Sequence, residues 1–323
     1  AIYNNRLSEL QAQQKKLQQK KSVFGVLRFG TIAIIIAVFY FLWSLGMVYT
    51  IVAAVLLLIL FVRLVYADLA NRSAIKHLGH LIAINIDELK AVDGSYFQFA
   101  DGAIHLPKEH FYAADMDIFG HASLFQLINR TTSDMGARQL ADWLLQPAEE
   151  TEIINRQSAV KELKDKMHWR QDIQGFGRET SISQSTFKKL TDWLNEPTLF
   201  LQFVHWKWLR IFLPLVITGI VIAAIAGWIP MGIMYGTLLF AAVIAYQINK
   251  LVSPVHEKLS KIVDEMDALS LSIAVIEKEK FSSTLALDLQ QKFFAGNELA
   301  SVKIAKIKKI LDRLDLRYNI VIS

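Results

Sequence analysis

Five residues of the kinds that bind metals or move protons lie close together: His105, His110, Asp115, Asp117 and His121. A zinc or iron site needs such groups to converge, and these irregular spacings set no three of them on one face. The expectation is therefore no metal site. Arg130, Asp134, Arg138 and Asp142 recur at intervals of four, which on one helix would form a ladder of ion pairs. The alternative is a ligand-binding role for Arg130 or Arg138. There is no cysteine, which excludes disulfides, thiolate metal sites and a cysteine nucleophile. Nucleotide binding through a P-loop needs G-x-x-x-x-G-K-[ST], whose backbone amides and lysine hold phosphates. None of the fifteen glycines opens that pattern, and only Gly177 precedes a basic residue, Arg178. No catalytic residue, cofactor site or metal ligand is assigned.

The apolar content explains why so little chemistry is visible. Slightly over half of the 323 residues are apolar, and the excess is concentrated in two blocks, Phe29 to Val62 and Ile211 to Ile248, that contain no Asp, Glu, Lys or Arg. Each is close to twice the ~20 residues that one membrane-spanning helix needs. Each divides near its middle, at Ser44-Leu45-Gly46 and at Gly227-Trp228-Ile229-Pro230. The reading is four short transmembrane helices in two hairpins; buried hairpins in a large soluble core are the alternative. A second span follows the first at once with no cleavage pattern between them, so the first is not a signal peptide. Gly219, Ala223 and Gly227 repeat small residues every four, and Gly232 and Gly236 form a G-x-x-x-G. Such faces let helices approach closely, between spans of one chain or across a homodimer. No ionisable residue lies within the blocks, so transport is a poor hypothesis.

Charge orients the hairpins. Arg28 and Arg63 flank the first, and Lys207, Arg210 and Lys250 flank the second, while both turns are uncharged. The positive-inside rule then places both termini and the middle segment on the cytoplasmic side. Net charge is +5 overall, but residues 1–28 carry +5 and the block from Asp68 to Trp206 carries −5. A DNA-binding face on that block is not supported. Lys15, Lys16, Lys20 and Lys21 serve the positive-inside rule, or attract anionic lipid. The chain lacks an initiator Met, which suggests processing or excision, and it ends in an apolar run, Tyr318 to Ile322, which suggests that the natural protein continues.

Elsewhere the periodicity is helical. Residues 4–22 read as a polar helix leading into the first hairpin, and Asp68 to Leu89 as a helix following it. Asp93-Gly94 and Asp101-Gly102 bracket a loop or small hairpin containing SYFQF. Ala122 to Lys166 reads as two helices joined at QPAEE, the second with Ile153, Val160, Leu163 and Met167 on one face. Leu259, Ile262, Met266, Leu269, Ile273 and Ile276 alternate spacings of three and four, the mark of a helix seam. Leu299, Val302, Ile307, Ile310 and Leu314 nearly repeat it, so two long antiparallel helices would bury both stripes.

The run DMDIFGHASLFQLINRTTSDMGARQLADWLL, Asp115 to Leu145, continuing through QPAEETEIINRQSAVKEL, resembles the start of the core region of the MutS family. The tail ASVKIAKIKKILDRLDLRYN is similar to the segment that closes that family's lever helices. Soluble mismatch-repair proteins have no membrane hairpins, so the closer likeness is to a branch of MutS-like membrane proteins. The resemblance implies that Asp115, Asp117 and Phe119 mark the entry to a core helix, where Asp can cap. It also implies ATP and Mg, bound by a C-terminal ATPase domain that is not in this sequence, and DNA as a family partner.

The resulting assignment is an all-α, polytopic membrane protein. It comprises a basic helix (1–28), a first hairpin (29–62), a MutS-like core segment (63–206), a second hairpin (207–250) and a lever-type helical pair (251–323). Its expected partners are membrane lipid and a second copy of itself. Two functions are open: the membrane-anchored part of a MutS-like ATPase, or a non-enzymatic scaffold that uses the same core.

Overall fold

The computed structural model describes residues 2–42, 46–179, 188, 204–294 and 298–309. Every regular element among them is helical. The chain divides into two compact units, Ala1–Ser181 with Leu271–Leu299, and Ile182–Ser270 with Ala300–Ser323.

The first unit is built on a long antiparallel hairpin. Helix α1 (Ile2–Leu42) and helix α2 (Met47–Val92) pack along their lengths. The sequence reading separates polar and apolar segments near residues 28 and 62, but both helices run through those points unbroken. Nothing there breaks the ladder of backbone hydrogen bonds: no proline intervenes near either point, and Gly25 and Gly30, which flank the first, lower helix propensity without removing an amide donor. Gly46, with φ 130°, precedes α2, while Ser44 and Leu45 of the expected turn lie outside the described residues. Toward the N-terminal end of α1, Leu10 is fully buried against Leu81 and Ile84. Further along, Asn71 donates to the Leu17 carbonyl at 3.0 Å and Arg28 pairs with the buried Asp68 at 3.2 Å.

After α2 the chain forms turns and one 3₁₀ segment, with no strand, so SYFQF is a loop. Three short helices follow: α3 (Leu124–Ile128), α4 (Asp134–Leu145) and α5 (Glu150–Lys164). Ser123 caps α3 through Gln126 N, and Ser133 caps α4 through Gly136 N. The helix expected from Ala122 is therefore interrupted before Ser133. Arg130 lies outside α4, so the four-residue ladder does not form as one face. Asp115 and Asp117 are not the caps; serines take that role. In α5, Glu150 and Glu152 begin the helix and Lys161 and Lys164 end it, in keeping with its dipole. Ile153 and Val160 are exposed and Ala159 is buried, so the expected apolar face of α5 is not the one that packs. Helix α6 (Met167–Glu179) packs on α2. The core gathers Ala113, Ile118, Phe119, Phe125 and Ala141. A Cβ at Gly102, where φ is +67°, would meet the Phe125 ring at 2.5 Å, so that position requires glycine.

In the second unit, α7 (Val204–Ile225) ends at Gly227-Trp228-Ile229-Pro230, as the sequence pattern indicates. Gly227 adopts φ +77° in that turn, which is its structural role. Among the described residues, a Cβ at Gly219, Gly232 or Gly236 would meet nothing within 4 Å. Ala223 is half-buried. Helix α8 (Met231–Lys278) is 48 residues long, belonging to the second unit up to Ser270 and to the first from Leu271. Residues 300–309 form α10, held to α8 by Ser270 Oγ donating to the Ser301 carbonyl at 3.0 Å and by a Lys308–Asp267 ion pair. Of the seam residues, Met266 and Ile273 are buried, and Leu269 and Ile276 are half-buried. The side chains of Leu259 and Ile262, and residues Ile310 and Leu314, lie outside those described.

Candidate functional site

A polar cluster lies in the first unit where α2 meets the core. Arg130 is its centre. Its Nε and Nη2 donate to the two carboxylate oxygens of Glu88 on α2, at 2.5 and 3.1 Å. Its Nη1 donates to the carbonyls of Leu127 and Asn129, at 2.9 and 3.0 Å, and its guanidinium lies 3.7 Å above the centre of the Phe99 ring. All three guanidinium nitrogens are thus engaged with the chain's own acceptors. Arg130 is a rivet, and the alternative role of holding a ligand is not supported by this geometry.

Neighbouring contacts join the same two bodies. Asn85 on α2 and Gln171 on α6 exchange amide hydrogen bonds at 3.0 and 3.3 Å, both buried. Arg178 pairs with Asp87 at 2.8 Å, and Lys76 with Glu179 at 3.2 Å. A Cβ on Gly177 would lie 1.9 Å from Thr132 Oγ1, so only glycine lets α6 approach the 131–133 turn this closely. The turn is shaped by Asn129, whose Oδ1 accepts from both the amide and the hydroxyl of Thr131. Gln126 ties the preceding loop, donating to the carbonyls of Phe97 and Phe99 and accepting from the Ala122 amide. Between these elements a cavity of about 380 Å³ is lined by Ile84, Glu88, Arg130, Ser133, Trp169 and Gln171. His77 stacks on Phe176 with centroids 4.4 Å apart, and burial lowers the pKa of nearby His80.

The histidines singled out in the sequence do structural work. His110 Nε2 donates to the Leu145 carbonyl at 3.0 Å, and its Nδ1 accepts from the amides of Tyr112 and Ala113, which defines the tautomer. His121 stacks on Phe97, and His105 packs against Phe119 and Phe125. Among the described residues no three acidic or histidine side chains are placed to hold a metal ion.

A second joint links α5 and α6 to the end of α8. Glu162 accepts the amides of Ser282 and Ser283, at 2.7 and 2.8 Å, just before α9 (Thr284–Gln291). Ser283 through its hydroxyl and amide, and then Ser282, hold the Glu162 carboxyl down to about 2 against the desolvation that would raise it; the hydroxyl itself lies outside strict hydrogen-bond geometry. Lys166 pairs with Glu279 at 2.5 Å and donates to the Lys280 carbonyl at 2.8 Å, and Trp169 Nε1 donates to the Val275 carbonyl at 3.3 Å.

Sequence reasoning missed Asn85, Glu88, Gln171 and Glu162. Asn85 had a signal, a polar residue in the apolar run LIAINI; the others look like ordinary surface residues in a helix. What the two clusters provide, among the described residues, is mechanical connection between helices. Part of the helical core that they hold together has a known likeness: residues 110–198 match the family model of MutS domain III. That match extends over α4, α5 and α6 and the turn that carries Arg130. No curated protein and no solved structure matches the chain.

Proposed function

We propose that the chain is the membrane-anchored core and lever portion of a MutS-like ATPase, taking part in ATP-dependent DNA binding or a process related to mismatch repair. The observation that carries this is the MutS domain III match on a core riveted to α2, a helix whose most apolar window is only 6 % buried. Core helices of soluble proteins hide such surface; lipid is the medium that accepts it. The α1 and α2 helices are long and apolar enough to cross a membrane, and shorter apolar helices occupy Phe212–Ala224 and Met231–Ile244. All four threonines of the apolar blocks, Thr31, Thr50, Thr218 and Thr237, donate to the carbonyl four residues earlier, a pattern that satisfies a hydroxyl without water. In this reading both hairpins span a bacterial inner membrane with the termini cytoplasmic. ATP and Mg are bound by a separate nucleotide-binding domain, and α8 is the lever that carries its motion.

The test has two readouts. The full chain, expressed in bacteria, should stay in the membrane pellet after alkaline carbonate; release into the supernatant overturns the anchoring. Solubilised in mild detergent, it should retain duplex DNA with an affinity that falls steeply as salt rises. Salt-independent, negligible retention favours the second reading, a non-enzymatic scaffold. The −5 charge of the block from Asp68 to Trp206 is the observation on that side.

A further inference from the structure

The charge-free run on α1 starts at Phe29, yet exposed apolar side chains continue below it through Leu27, Val26 and Val23. On α2 they continue past Val62 to Tyr66, and Leu69, beside the buried Asp68, is exposed as well. Arg28 interrupts this surface in sequence only. Its guanidinium turns inward to Asp68, which is 1 % exposed and also accepts from Arg72 at 2.9 Å. Measured this way, the arms Val23 to Leu42 and Met47 to Tyr66 are twenty residues each. At 1.5 Å per residue each is about 30 Å long, the thickness of a bilayer's hydrocarbon core. The charge-free blocks alone are shorter than that. Tyr66 then falls at the interface, where tyrosine is favoured, and the exposed Arg63 reaches the headgroups by extending its side chain.

The new boundary changes the position of four lysines. Lys21 and Lys20 lie two and three residues beyond Val23, about 3 to 5 Å along the axis, and Lys16 and Lys15 about 11 to 12 Å. All four are exposed, and among the described residues none pairs with a carboxylate. The acids of this stretch are already used, Glu9 by Arg6 and Asp68 by Arg28 and Arg72. An uncompensated positive collar therefore stands at the level of lipid phosphates. We propose that the membrane-embedded arms of the first hairpin extend to Val23 and Tyr66, and that Lys15, Lys16, Lys20 and Lys21 bind the headgroups of anionic phospholipid. This rests on the membrane reading above. A lysine near the surface concentrates anionic lipid by about fivefold, and a Debye length of about 8 Å weakens the contribution of Lys15 and Lys16.

The cysteine-free chain allows a direct experiment. Ser22→Cys, labelled with a bimane fluorophore, is reconstituted in phosphatidylcholine vesicles containing brominated phosphatidylglycerol or brominated phosphatidylcholine. The expected result is quenching by both, with the anionic lipid preferred by about fivefold at low salt and the preference lost in K15Q/K16Q/K20Q/K21Q. Equal quenching by the two lipids overturns the lipid assignment. No quenching by either, with the chain still resistant to carbonate, overturns the boundary at Val23. Extraction by carbonate overturns the membrane reading itself. If the lipid preference is absent and the four lysines instead carry salt-sensitive retention of duplex DNA, the collar is a nucleic-acid surface and the lipid assignment falls.

Discussion

The Asn85–Gln171 pair shows what a buried polar contact contributes to this fold. Each amide satisfies the other at 3.0 and 3.3 Å with almost no access to solvent. Replacing one strands its partner, because an unpaired buried amide costs about 2 kcal/mol, whereas replacing both by apolar groups of similar size is nearly neutral. Asn85→Leu and Gln171→Leu should each lower the thermal midpoint of the detergent-solubilised chain, and the double variant should recover most of the loss. Additive losses in that double-mutant cycle would mean that the two amides do not act as a pair. At this scale the sequence was only partly legible. The irregular spacing of His105, His110 and His121 was visible, but the partners that occupy them, the Leu145 carbonyl and the rings of Phe97, Phe119 and Phe125, come from distant positions. Arg130 was read as one rung of a helix ladder. A serine three residues later caps the helix and leaves the arginine to a carboxylate 42 residues earlier in the chain.

At the scale of elements, Glu162 is the most informative contact, since a side chain of α5 supplies the acceptor for two amides at the start of α9 that have no partner within that helix. Its carboxyl is held at about 2, below its ordinary value of 4.5. A depressed folded-state value means that the unfolded chain binds the proton more readily. The contribution to stability is therefore complete above about 4.5 and is lost as pH falls toward 2. Glu162→Gln should remove that part of the acid dependence and leave stability near neutral pH lower and flatter. Hydrogen exchange at the amides of Ser282 and Ser283 is the local readout, and protection there unchanged in the glutamine variant would contradict the cap. Elements were the most legible level. Apolar blocks, the break at Gly227 to Pro230 and the stop before Pro147 all follow from composition and backbone limits. The capping glutamate was not legible, because α5 and α9 are brought together by tertiary packing alone.

For the first unit as a whole, the decisive feature is that α1 and α2 are single helices, of 41 and 46 residues, carrying both the apolar arms and the polar joints. Sequence composition points to separate pieces at residues 28 and 62, because charge changes there, although no proline breaks the helical hydrogen bonding. If the pair acts as one stiff stem, its register must matter along the whole length. A seven-residue insertion lengthens a helix by about 10 Å and returns its faces to within about 20° of their original direction. Placed after Ile75 in α2 alone, it shifts Asn71 and Asp68 away from Leu17 and Arg28 while Leu81 and Ile84 still seek Leu10. Matched by a second insertion after Gln13 in α1, it lengthens the stem and keeps both sets of contacts. The single insertion should lower the thermal midpoint of the core, followed by the fluorescence of the chain, and the paired insertion should restore it. Equal stability of the single and paired variants would show that the apolar arms and the core are joined by a hinge, and that the rivets at Glu88 and Asn85 do not reach beyond their own end of α2.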